Sequence, residues 1–312
     1  MSKKILVTGA GGYIGSMLTT KLVELGFKVL AVDLMKYDKN SLSHLFYYSN
    51  FSFLKADITK PEVVKKIIRD VDFIIPLAAI VGAPLCDKYK DMAKKVNVGS
   101  IRLILNFIKK KQKIIYPTTN SGYGIGEKNK YCDENTPLRP ISLYGLTKSE
   151  AENIIFQHKN SVCFRLATVF GFSYRMRTDL LVNNFVEKAV RTEKLHIFEP
   201  NFRRNFIHVR DVVSAMVFAI KNFNKIKNNI YNIGLSSANI TKLELAKIIR
   251  KHHKKILIKI IENKKDPDKR DYFVSNDKIE KKGFKAKISL DSGVNELRHL
   301  FLNTKFKYKN NY

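Results

Sequence analysis

Cysteine is scarce in this 312-residue chain. Cys86, Cys132 and Cys163 stand far apart and share no metal-ligand spacing. An odd, sparse count fits a reducing cytosol. Long apolar runs are also missing. The longest uncharged stretch, Phe73 to Cys86, contains Pro76 and Pro84 and is too short to span a bilayer. The first residues, "MSKKILVTGAGGYIG", enter a strand and a glycine turn directly, with no leader core or cleavage site. A cytoplasmic location is expected. Acidic residues are few as well: 28 Asp and Glu face 57 Lys and Arg, a formal net charge of +29. Nucleic-acid binding is one reading of that excess. The lysines, however, are spread from Lys3 to Lys309, with no zinc spacing, aromatic RNA-binding signature or recognition helix. The expectation is a general positive field that favours small anionic ligands, with no nucleic-acid partner and no membrane span.

What is there is an alternation of apolar strands and helices. "KKILVTG", "KVLAVD", "FSFLKAD", "VDFIIPLAA", "KIIYPTT" and "SVCFRLATVFG" read as six strands. Helices fall between them, including one long helix around Asp91 to Lys111 and another from about Ser142 to Lys159. Such alternation implies an α/β fold of the Rossmann type, a doubly wound parallel sheet covered on both faces. The helix beginning at Asp211 and the strand "NIYNIG" read as a return to that sheet. The expected division is a dinucleotide-binding domain over 1–171, with about 206–234 added, and a smaller, discontinuous α/β substrate domain over most of 172–312. No internal repeat or long linker interrupts it.

"VTGAGGYIG" sets Gly9, Gly12 and Gly15 at GxxGxxG spacing between a strand and a helix, around Tyr13 and Ile14. Glycines there let backbone approach a pyrophosphate, and the helix N-terminus offers free N–H groups to the anion. Asp33 closes the second strand, where a carboxylate accepts bonds from ribose hydroxyls and repels a 2′-phosphate, so NAD is expected over NADP. Asp57, with Ile58 beside it, ends the third strand; it could meet the adenine amino group or cap the strand end. Leu77, Ala78 and Ala79 end the fourth strand, small where it would pass under the cofactor.

"ISLYGLTKSEAE" sets Tyr144 and Lys148 four residues apart on one face of a helix. A phenol titrates near 10 and must act as a base near neutrality, which takes ~3 units of lowering, about 4 kcal/mol. A neighbouring ammonium and a positive nicotinamide ring would both favour phenolate. Thr119 ends the fifth strand just ahead of that helix, where its hydroxyl could bond a substrate alcohol. The expected catalytic set is Thr119, Tyr144 and Lys148.

These motifs, with Tyr123-Gly124 and "RNFIHVRD" from Arg204 to Asp211, resemble the extended short-chain dehydrogenase/reductases of the nucleotide-sugar epimerase/dehydratase group. The resemblance covers nearly the whole chain. It implies a nucleotide-diphosphate-sugar substrate, a homodimer, and a second domain that grips the diphosphate. By that resemblance Asn183 and Asn184 lie near the diphosphate and Arg204 and Arg270 bind phosphate, with Arg203 an alternative to Arg204. Thr168 would contact the hexose. Arg175 and Arg177, following the sixth strand, could face the sugar. Ile80 to Tyr89 would form a lid, and His208 and Asp211 are expected to be structural.

The sequence departs from the group at one triplet. The 4,6-dehydratases carry Thr-Asp-Glu where this chain has Thr119-Asn120-Ser121, with Asn120 expected at the substrate. Asn and Ser cannot supply an acid/base pair, so dehydratase and decarboxylase chemistry are not expected. Hydride chemistry remains. The first expectation, from a narrower resemblance to enzymes acting on GDP-heptose in capsule pathways, is a C4 dehydrogenase for surface polysaccharide synthesis. A UDP-hexose or UDP-hexuronate 4-epimerase is the alternative. A non-catalytic NAD-sensing or nucleic-acid-binding relative is a third, though such relatives usually lose the Tyr or the Lys.

Overall fold

The computed structural model describes residues 2–127, 130–262, 270–304, 308, 310 and 311. Lys309 and Tyr312, cited above as ends of the lysine spread and of the second domain, lie outside the described residues.

Seven strands build the main sheet: β1 (Lys4–Thr8), β2 (Lys28–Asp33), β3 (Phe51–Lys55), β4 (Phe73–Pro76), β5 (Lys113–Thr119), β6 (Ser161–Leu166) and β7 (Asn229–Ile233). All pairings are parallel, in the spatial order 3-2-1-4-5-6-7. Parallel strands need crossovers, and the crossovers cover both faces. Alternate residues of β1 therefore feed two cores. Ile5 and Val7 pack with Leu18 and Leu22 of helix Tyr13–Glu24 and Val212 and Met216 of helix Val209–Lys221. Leu6 packs on the other side with Ile101, Ile104, Ala151 and Ile155. The strand order reverses between β1 and β4, which opens a crevice at their carboxyl ends.

Three readings of the sequence differ in detail. "SVCFRLATVFG" is two strands. Leu166 ends β6, and Thr168–Phe170 joins a separate sheet with Arg203–His208 and Asn239–Thr241. The long helix around Asp91 to Lys111 is broken: Lys90–Lys94 and Ser100–Phe107 flank a π-turn, Lys95–Gly99. The expected lid opens as a loop from Ile80 and then forms a short helix, Ala83–Lys88. Two further parallel pairs, Lys194–Ile197 with Leu257–Ile260 and Tyr131–Cys132 with Phe273–Val274, complete the smaller side.

Candidate functional site

The crevice holds a cavity of about 1160 Å³. A site for one small molecule spans about 300–1,000 Å³, so there is room here for more than one ligand. At one end lies the glycine turn. Gly9 has φ +69°, and a Cβ there would stand 2.5 Å from the Ala78 nitrogen. At Gly15 a Cβ would stand 2.1 Å from the Gly9 oxygen. The helix is thus pressed against the turn as only glycine permits. Its N-cap is Gly12, with no side-chain cap and no acid in the first turn, so its N–H groups stay available to an anion. Asp33 accepts from the Gly11 N–H (2.9 Å) and the Met35 N–H (2.7 Å), and burial pushes its carboxyl up. Gly9, Gly12, Tyr13, Ile14, Gly15, Asp33, Asp57, Ile58, Leu77, Ala78 and Ala79 all line this cavity. Asp57 also accepts from the Thr59 N–H at 2.8 Å. The Tyr13 hydroxyl points away from the turn, donating to the Gly171 oxygen at 2.5 Å. A Cβ-free cradle, an uncapped helix and a carboxylate at the next strand end fit a dinucleotide.

Thr119, Tyr144 and Lys148 line the same cavity from β5 and from helix Leu143–Phe156, whose start is capped by Ser142. Burial pushes the Tyr144 phenol up to about 12; the Arg270 guanidinium pulls against that most strongly, then Arg177. Lys148 is buried too, and desolvation brings its ammonium down to about 7. Its Nζ donates to the Pro117 oxygen at 2.8 Å and sits 4.1 Å from the Tyr116 ring centre. Lys148 is therefore only partly charged near neutral pH, and in the protein alone the groups that pull the Tyr144 phenol down are Arg270 and Arg177.

Asn120 is also corrected. It is buried in the turn Asn120–Tyr123, away from the cavity lining, and Ser121 lines the cavity instead. Asn183 is fully buried and outside the lining: it accepts from the Gly171 N–H and donates to Tyr13 and to the Arg177 oxygen. It fastens a loop to the glycine-turn helix, whereas Asn184 does line the cavity. Thr168, Arg204 and Arg270 line it as well. Arg203 is held by Asp271 at 2.8 Å and does not. Arg175 lies at the Asp33 end, 5.0 Å from the Tyr37 ring centre, and not on the catalytic side. Arg177 is paired with Asp179. His208 and Asp211 have structural partners: Glu296 and the Arg210 N–H for one, the Lys287 and Ile288 N–H groups for the other.

Asn97 escaped sequence reasoning. It accepts from the Ile80 N–H at 2.8 Å, and donates to the Ile80 oxygen and to Thr147 at 3.1 Å. It thereby ties the loop after β4 to the catalytic helix. It sits in the π-turn, a distortion that recurs at functional sites but has no composition signal.

Known proteins share this fold. Residues 5–234 match the NAD dependent epimerase/dehydratase family, and the chain belongs to it. A putative UDP-glucose 4-epimerase of Methanocaldococcus jannaschii is 30% identical over 242 residues, 74% of this chain and 76% of its own. UDP-glucuronic acid decarboxylase 6 of Arabidopsis thaliana is 29% identical over 307 residues, 93% and 86%. The UDP-glucuronic acid 4-epimerase of Bacillus cereus, solved with UDP-glucuronic acid and NAD, is 25% identical. It superposes with a TM-score of 0.83 over 95% of this chain and 99% of its own. The cofactor is NAD.

Proposed function

We propose that the chain oxidises C4 of a nucleotide-linked sugar, and that a UDP-sugar 4-epimerase is the reading best supported. The observation that carries the hydride step is the convergence of Thr119, Tyr144 and Lys148 on the cavity that the glycine turn and Asp33 line. Tyr144 takes the proton of the sugar hydroxyl while Thr119 holds that oxygen by a hydrogen bond. Lys148 fixes the far side through Pro117. NAD, when bound, accepts the C4 hydride. Residues 1–171 with about 206–234 would hold NAD, and most of 172–312 the nucleotide sugar, with Arg204, Asn184 and Thr168 facing it.

Water elimination needs an acid and a base beside the sugar. The carboxylates among the described lining residues are Asp33, Asp38, Asp57 and Asp179. Asp179 is paired with Arg177, Asp38 acts on Arg175 at the Asp33 end, and Asp33 and Asp57 line the cofactor end, which supports a reading without elimination. All three similar proteins are named for a UDP-sugar, and two of the three are named 4-epimerases, which favours the epimerase. The GDP-heptose C4 dehydrogenase stands second: it rests on Thr119-Asn120-Ser121 and on the stretch holding Arg175, Arg177 and Asn183, and Asn120 and Asn183 are turned away from the cavity. A homodimer belongs to the same reading, supported by exposed Met92 and Leu146 near the catalytic helix.

The test is a panel of UDP- and GDP-linked sugars with the purified protein and NAD, following 340 nm absorbance and product mass. Unchanged mass without an added electron acceptor is expected. Loss of two hydrogens with NADH released makes the dehydrogenase the answer. Loss of water or carbon dioxide overturns the reading.

A further inference from the structure

We propose that Arg175 is a cofactor-binding residue: its guanidinium is the cation that meets the pyrophosphate of the dinucleotide, from outside the stretch 1–171 expected to hold it. This rests on a dinucleotide lying in the crevice, and not on which sugar reaction follows. Three hydrogen bonds fix where Arg175 stands. The Tyr13 hydroxyl donates to the Gly171 oxygen at 2.5 Å, Ser173 Oγ donates to the Tyr13 oxygen at 2.7 Å, and Ser16 Oγ lies 3.1 Å from Ser173 Oγ. Residues 171–175 are thereby laced to the first turn of helix Tyr13–Glu24, whose uncapped start favours an anion. On its other side the guanidinium lies 5.0 Å from the ring centre of Tyr37, four residues past Asp33. Arg175, Tyr37, Asp33 and Gly12 all line the cavity. A dinucleotide that gives a ribose to Asp33 and its pyrophosphate to the helix start must pass this cation.

Arg175 is 2% exposed, and buried charges are ordinarily paired. Arg165 has Glu152, Arg177 has Asp179 and Arg203 has Asp271. Arg175 pairs with no carboxylate among the described residues. Its Nη2 donates to the neutral Asn311 Oδ1 at 2.6 Å, and its Nη1 is buried with no hydrogen-bond partner. Desolvation and then the like charge of Arg177 weigh against the cation. Asp179, already held by Arg177, acts on it from the same side, and Tyr37 and Asp38 from the other, without pairing. Lys36, the other cation near Tyr37, is exposed, so water serves it. A pyrophosphate supplies the charge and the paired oxygens that the protein withholds from this guanidinium fork.

The test is binding by calorimetry, with no sugar present. Arg175→Met should weaken NAD, NADH, ADP-ribose and ADP by one common factor of about 10 to 100, the worth of a hydrogen bond to a charged group. Adenosine, which lacks the phosphates, should bind the variant as it binds wild type, measured by competition. UDP should keep its affinity. Removing a buried charge that has no carboxylate should leave the ligand-free melting temperature equal to wild type or above it. Arg175→Lys keeps the charge without the fork and should recover part of the lost affinity. Should Arg175→Met fail to fold, Arg175→Gln makes the same comparison. Unchanged NAD affinity overturns the proposal. Weakened UDP with NAD intact overturns it too and gives the guanidinium to the nucleotide sugar. An equal loss for adenosine and NAD, with a lower melting temperature, reduces Arg175 to a packing residue.

Discussion

At the scale of single residues, the site departs from its sequence pattern in how charge is held. Lys148 is almost wholly buried and titrates near 7 in place of about 10.5. Its folded value lies below its unfolded one, so the unfolded chain binds the extra proton between those limits. Its burial is thus a cost, full below pH 7 and fading as the pH rises toward about 10.5. Lys148→Met should melt at a higher temperature than the ligand-free wild type at pH 6, and the gap should shrink steadily by pH 10. A constant gap across that range would mean that Lys148 holds its charge without penalty. The motif spacing announced which residues meet here. It could not announce burial: whether Asn120 and Asn183 turn into the cavity or into the core depends on a tight turn and on a loop contact 170 residues distant, between Asn183 and Tyr13.

At the scale of elements, helix Leu143–Phe156 must hold Tyr144 against β5. Ser142 caps its start, and the Glu152–Arg165 pair, 2.7 Å apart with both side chains at least nine-tenths buried, fastens it to β6. Arg165 also donates to the Tyr123 hydroxyl, which donates to Asn232 of β7. Glu152→Gln leaves a buried guanidinium without its counter-charge, which costs about 3–5 kcal/mol. The expected result is a melting temperature lower by several degrees, with the loss seen equally in the presence of saturating NAD. A melting temperature within about 1 °C of wild type would show that the pair is not what fastens the helix. The main-sheet strands were legible because buried parallel strands are apolar runs broken by glycine and polar turns. The break at Ala167 was not, since "LATVFG" stays apolar while it changes sheets, and neither was the π-turn, which leaves the helical pattern of "VNVGSIRLIL" intact.

At the scale of the whole molecule, the charge of +29 is spread, among the described residues, over several faces. Exposed lysines stand on both sides of the sheet: Lys21 on the helix that packs with Ile5 and Val7, and Lys65 on the helix that packs with Leu6. Lys188 and Lys251 continue the spread onto the helices of the smaller side. A nucleic-acid site needs charges aligned along one groove-sized stripe, because affinity comes from the number of phosphates met at once. A diffuse field does something different: it raises the encounter rate of any small anion, and salt screens it. Both proposed ligands carry a diphosphate. The NAD association rate should therefore fall as salt rises from about 20 to 300 mM, while the dissociation rate stays nearly constant. A random duplex of about 20 base pairs should bind no tighter than ~10⁻⁴ M at about 150 mM salt, the weak limit of non-specific association. Stopped-flow kinetics and fluorescence anisotropy measure the two. Micromolar duplex binding with a steep salt slope, together with a salt-independent NAD rate, would overturn the diffuse-field reading and restore a nucleic-acid role for the lysines.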